Sequence, residues 1–107
     1  MIIVETSVFT RRINELMPDD QYRELQEALT ENPEIGDLIQ GSGGLRKVRW
    51  KLPGQGKRGG VRAIYYWWVN NDRLLMLYAY AKNERSDLTK KQIAVLAKLV
   101  EEELSNG

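Results

Sequence analysis

Val61-Arg62-Ala63-Ile64-Tyr65-Tyr66-Trp67-Trp68-Val69 is the strongest strand in the chain, and Asn70-Asn71-Asp72 turns it into a second, Leu74-Leu75-Met76-Leu77-Tyr78-Ala79-Tyr80. β-Branched and aromatic residues suit a pleated, half-buried surface. Asn and Asp tolerate the backbone of a tight turn. The segment therefore predicts an antiparallel hairpin, and the rest of the chain must pack around it. Alternation sends Ala63, Tyr65 and Trp67 to one face and Arg62, Ile64, Tyr66 and Trp68 to the other. Burying an unpaired arginine is costly, so Arg62 marks the open face.

Upstream, Gly41-Ser42-Gly43-Gly44 launches a third strand, Leu45 to Trp50. Its apolar anchors Val48 and Trp50 point inward with Arg46, so Lys47 and Arg49 project to the open face. Pro53 to Gly60 is a glycine-rich loop tipped with Lys57 and Arg58. Its G-x-G-x-x-G pattern links two strands, whereas a dinucleotide site needs it between a strand and a helix. Further upstream, Ile2 to Val4 reads as a short strand. Thr6 and Ser7 offer caps to a brief helix carrying Val8, Phe9, Ile13 and Leu16. A second helix, Asp19 to Glu31, sets Tyr22, Leu25, Ala28 and Leu29 at helical spacing and stops at Asn32-Pro33.

Downstream, Ala81 to Leu88 is a polar connection, and Thr89 with Gln92 forms a capping box. The final helix spaces Ile93, Leu96, Leu99, Val100 and Leu104 by three and four residues. Its Glu101-Glu102-Glu103 end opposes the helix dipole and is expected to fray. The order β-α-α-β-β-β-α predicts an α+β fold: a small antiparallel sheet with helices on one face and a basic face left open.

At 107 residues the chain is expected to form one domain, 1–107. Histidine and cysteine are absent, which excludes Ser-His-Asp triads, Cys-His dyads, paired-histidine nuclease chemistry, disulfides and the usual zinc sites. No secretory leader and no apolar run of membrane-spanning length is visible, so a cytoplasmic protein with no membrane partner is expected.

A net charge of +1 conceals a strong segregation. Asp19 to Asp37 holds seven acids against Arg23 alone. Between Asp37 and Asp72 stand Arg46, Lys47, Arg49, Lys51, Lys57, Arg58 and Arg62 with no acid. A basic stripe on one face is the footprint of a polyanion. With no carboxylate expected on that face, no metal cage is expected and no cofactor is implied. The cluster Lys47, Arg49, Arg62, Tyr78 or Tyr80, and Lys82 has the parts for metal-free RNA cleavage. A lysine or tyrosine takes the 2′-hydroxyl proton, arginines hold the phosphorane charge, and a cation protonates the leaving 5′-oxygen. The same cluster equally suits binding without reaction.

GSGGLRKVRW (41–50), GKRGGVRAIYYWW (56–68) and LYAYAKNERSDLT (77–89) resemble the RelE/HigB toxins of bacterial toxin–antitoxin modules, with the HigB-like branch the nearest. The resemblance covers nearly the whole chain. It implies a microbial-ribonuclease-like fold and metal-independent, ribosome-dependent endonuclease cleavage of mRNA in the decoding site. It also implies a cognate antitoxin, HigA-like with a helix-turn-helix domain. Carried over by position, the catalytic residues are Lys47, Arg49, Arg62, Tyr80 and Lys82. The expected RNA contacts are Arg46, Lys57, Arg58, Asn83 and Arg85, with 16S rRNA among the partners. The chain departs from the RelE type at Asn83, where that branch has arginine, and at Thr89, where it has tyrosine. Tyr80 and Lys82 are thereby left as the candidate bases. A gyrase-poisoning toxin of the ParE type shares the fold and stands as the alternative, with a non-catalytic nucleic-acid binder as a third.

Overall fold

The computed structural model describes residues 1–54, 60–85 and 87–106. The chain runs β1 (Ile2–Glu5), α1 (Ser7–Leu16), α2 (Asp19–Glu31), β2 (Asp37–Leu38), β3 (Leu45–Trp50), β4 (Val61–Trp68), β5 (Arg73–Ala81) and α3 (Lys90–Asn106). The sheet order is β1-β5-β4-β3-β2. The pairings β5–β4, β4–β3 and β3–β2 are antiparallel as expected, while β1 lies parallel to β5 at one edge, so the α+β fold carries a mixed sheet. The two-residue β2 is too short to leave a pattern in the sequence. The β4–β5 hairpin closes through a single 3-10 turn, Val69–Asn71, with Asp72 in the left-handed region at φ 51°, a conformation aspartate accepts.

Thr6 caps α1: its Oγ1 accepts from Phe9 N at 3.0 Å and donates to Leu77 O at 2.9 Å. Asp19 and Asp20 occupy the first turn of α2, at the positive end of its dipole. The two helices bury Phe9, Ile13, Leu25 and Leu29 against Val48, Val61, Ala63, Tyr65, Leu74 and Met76. The connection from α2 to β2 is anchored by Tyr65, whose hydroxyl donates to Pro33 O at 2.6 Å and accepts from Gly36 N at 3.0 Å. Gly36 is needed there, because a Cβ would stand 2.8 Å from the Tyr65 ring.

The expectation that all helices share one face is overturned. On the other face α3 packs Leu96 and Val100, helped by Ile93, Ala97 and Leu104, against Leu45, Ile64, Leu75, Leu77 and Tyr80. Ile64, Leu75 and Leu77 are apolar residues that an open face would have left wet. The glutamate run lies within the helix, as α3 continues to Asn106 and Leu104 beyond the run packs against the sheet-side cluster. Leu99, placed on the apolar stripe by spacing, is instead 40% exposed.

Candidate active site

β3, β4 and β5 stack side chains into transverse rows on the α3 face. Leu45, Tyr66 and Leu75 form one row, Lys47, Ile64 and Tyr78 the next, and Arg49, Arg62 and Tyr80 the last. The first row lies among the residues that α3 covers, and the last is cationic. A β-bulge makes this possible. Ile64 pairs with Tyr78 but Tyr65 with Met76, leaving Leu77 as the extra residue in β5. A bulge shifts alternation by one residue. Leu74 and Met76 therefore face the α1/α2 side while Tyr80 faces the side of Arg62.

The basic face is not free of acids, contrary to expectation. The connection from β5 to α3 folds back so that Asp87 Oδ1 accepts from Lys47 Nζ at 3.0 Å. That hydrogen bond, with the nearby charges of Lys47 and Arg49, holds the Asp87 carboxyl below the usual carboxylate range. Lys47 is largely covered and Asp87 largely exposed, so solvent reaches the pair from the carboxylate side.

Tyr80 is 0% exposed. Its hydroxyl has no hydrogen-bond partner among the described residues, and neither does the Nε of Arg62 or of Arg85. Burial pushes the Tyr80 phenol up, and Asp87 adds to this, against the opposing pull of Arg62, Arg49 and Arg85. In this conformation Tyr80 keeps its proton and suits donation better than proton abstraction. Buried donors left unpaired beside a charged row call for a partner, and an anion reaches them only once the side chains that cover them move aside.

The remaining expected residues divide. Arg49 is exposed at the end of its row, and Arg85 is half-buried near Tyr80. Lys82 and Asn83 are exposed just beyond β5, where Lys82 N donates to Gly60 O at 3.1 Å. Arg46 is not brought to the row. Its guanidinium lies by Gly36 O at 2.8 Å and the Glu34 carboxylate at 3.5 Å, bracing the α2–β2 connection. Lys57 and Arg58 lie outside the described residues.

Sequence reasoning missed two contributors. Asp87 belongs to the stretch 77–89 already singled out, but counting charge along 38–71 stopped short of it. Arg12 on α1 gave no signal. β1 ends at Glu5, so the edge of β5 beyond Met76 has no neighbouring strand. Arg12 Nε donates to Ala79 O at 3.0 Å there, and its guanidinium lies 5.8 Å from the Tyr78 ring centroid. It also pairs with Glu84, which accepts from Ala81 N at 3.0 Å. Tyr78 and Tyr80 stack with centroids 6.2 Å apart, so Arg12 buttresses the site from behind. Among the described residues no group of three or more acidic, His or Cys side chains is placed to hold a metal ion, and no helix is long and apolar enough to cross a membrane.

The model of the RelE toxin of the RelE/RelB toxin–antitoxin system matches residues 1–106. Among solved structures, the chain is similar to a double arginine-to-alanine variant of the Escherichia coli toxin RelE in the free state. The TM-score is 0.53 and the identity 15%, over 79% of this chain and 86% of the other. At that identity the structural likeness is one of fold, and it is the family model, spanning nearly every residue, that places the sequence. The chain belongs to the RelE family of toxins from toxin–antitoxin systems.

Proposed function

We propose that this protein is an endoribonuclease that cuts translated mRNA in the decoding site of the bacterial ribosome, in the cytoplasm, without a metal ion. The observation that carries the reading is the in-register row Arg49–Arg62–Tyr80, in which the Arg62 Nε and the Tyr80 hydroxyl have no hydrogen-bond partner among the described residues. Arg49 and Arg62 hold the scissile phosphate and the charge that grows on it, and the Tyr80 hydroxyl donates to it. Lys47 exchanges Asp87 for the phosphate. Asp87, the ionised carboxylate of the cluster, then takes the 2′-hydroxyl proton as the 2′-oxygen attacks phosphorus. Lys82 gives a proton to the departing 5′-oxygen. The products are a 2′,3′-cyclic phosphate and a 5′-hydroxyl.

The sequence signatures support a HigB-like affiliation and a HigA-like antitoxin with a helix-turn-helix domain. Arg85 and Asn83, with Lys57 and Arg58, are the proposed contacts to mRNA and 16S rRNA. Primer extension on cellular mRNA after induction tests the reading. Cuts inside translated codons are expected. DNA damage without mRNA cuts would identify a gyrase poison of the ParE type, and neither outcome a non-catalytic binder.

A further inference from the structure

β1 stops opposite Met76, while β5 runs on to Ala81. The backbone groups along a strand edge need partners, and α1 supplies them one after another. Thr6 Oγ1 donates to Leu77 O at 2.9 Å, and Arg12 Nε donates to Ala79 O at 3.0 Å. Ala81 N then donates to Glu84 Oε1 at 3.0 Å, and the same carboxylate oxygen accepts from the Arg12 guanidinium. Arg12 and Glu84 thus close one bridge from Ala79 O to Ala81 N, and the residue between those two peptide groups is Tyr80. The Ala81 N–H, and after it Arg12, hold the Glu84 carboxyl below the ordinary carboxylate range. Arg12 also lies 5.8 Å from the centroid of the Tyr78 ring, which stacks on Tyr80. A planar, permanently charged fork can grip two acceptors and a ring together, which a lysine ammonium cannot. On the other edge, Lys82 N donates to Gly60 O at 3.1 Å. The connection that carries Lys82, Arg85 and Asp87 therefore leaves the sheet between two anchored points.

We infer that Arg12 is a positioning residue for RNA cleavage, acting with Glu84: their bridge sets the place of Tyr80 in the row and the exit of the connection bearing Lys82 and Arg85, without touching substrate. The inference rests on the endonuclease reading and adds to its machinery a residue of α1, outside the basic stripe. The guanidinium is engaged on every nitrogen, with Nε on Ala79 O, one terminal nitrogen on Glu84 and the other 3.7 Å from Glu15. That separates it from the row, where the Arg62 Nε has no partner among the described residues. Arg12 has its hydrogen bonds made before RNA arrives, so its contribution is geometry. Cleavage needs the phosphate-holding arginines and the proton donors in register at once, and a displacement of about 1 Å can cost on the order of 10²-fold in rate.

The test measures single-turnover cleavage on programmed ribosomes across a range of protein concentrations, at a temperature where every variant is folded. The saturating rate and the half-saturating concentration are then read separately. Arg12→Ala should lower the saturating rate by about tenfold to a hundredfold and leave the half-saturating concentration within about twofold of wild type. Glu84→Ala should do the same. The double variant should be no more than about twofold slower than the worse single one, because both break one bridge. Thr6→Ala, which removes the α1 cap and the neighbouring contact to the same edge, should lower the melting temperature yet cleave at the wild-type rate. In the free protein, Arg12→Ala should shift the ring resonances of Tyr80, and Thr6→Ala should not. A wild-type saturating rate in Arg12→Ala, a loss confined to the half-saturating concentration, or an equal slowing in Thr6→Ala would each overturn the inference. So would additive losses in the double variant, or Tyr80 resonances that Arg12→Ala leaves unmoved. Wild type that does not cut at all would instead overturn the endonuclease reading beneath it, and the Tyr80 resonances would still report whether the bridge places that ring.

Discussion

In the proposed mechanism Asp87 is the residue on which cleavage turns, because it is the partner of Lys47 and a carboxylate held ionised beside the row. Its depressed pKa follows from the Lys47 hydrogen bond, and a carboxylate so held is a weak base until the bond is exchanged for a substrate phosphate. Asp87→Asn keeps an oxygen that Lys47 can reach but cannot take up a proton. Single-turnover cleavage on ribosomes should fall by about 10²-fold or more in this variant, with loss of the acidic limb of the pH–rate profile. Retention by Asp87→Glu is expected. Wild-type or faster cleavage by Asp87→Asn would mean that the carboxylate only occupies the phosphate position in the free protein. Tyr80, by contrast, is a candidate that the sequence names without showing its surroundings. Nothing in the order of the residues reveals that its hydroxyl is buried, and burial is what turns a candidate base into a donor.

At the scale of elements, the hairpin, both N-terminal helices, the Leu45–Trp50 strand and the capping box were readable because each obeys a local rule of period or punctuation. The faces of β3 and β4 followed from where Val48 and Arg62 stand. Three features needed tertiary information. The Leu77 bulge is silent in a run of apolar residues, yet it decides which way Tyr80 points. The seat of α3 depends on Ile64, Leu75 and Leu77 needing cover, which is a property of the assembled sheet. The parallel β1–β5 pairing joins residues some seventy positions apart. Tyr65 shows how an element-level anchor is built from a side chain that reads simply as core. Tyr65→Phe leaves Pro33 O and Gly36 N without their partner, so urea unfolding should show a loss of about 1–3 kcal/mol. Tyr66→Phe, for which no hydroxyl hydrogen bond is described, should change stability by less than about 0.5 kcal/mol.

Over the whole molecule, charge and buried phenols set how the fold responds to its surroundings. Burial raises the pKa of Tyr22, Tyr65 and Tyr80 above the ordinary 10.0, with the Glu5 hydrogen bond adding at Tyr22. Groups raised in the folded state contribute stability that is whole below the unfolded value and is lost as pH rises. Melting temperature should therefore hold to about pH 10 and fall steeply above it, more gently in Tyr22→Phe. A melting curve flat to pH 11.5 would contradict this. The same molecule segregates its acids on α2 from its cations on the sheet, and the antitoxin and the ribosome are expected to use different sides of that division. The account as a whole stands on the row Arg49–Arg62–Tyr80 acting on RNA. Its most direct test is cleavage of mRNA on purified programmed ribosomes, with the new ends analysed, by wild type and by soluble, folded Arg62→Ala. The account predicts 2′,3′-cyclic phosphate ends from wild type and a rate lower by about 10²–10³-fold for Arg62→Ala; an equal rate for the variant, or 3′-hydroxyl ends from wild type, would contradict it.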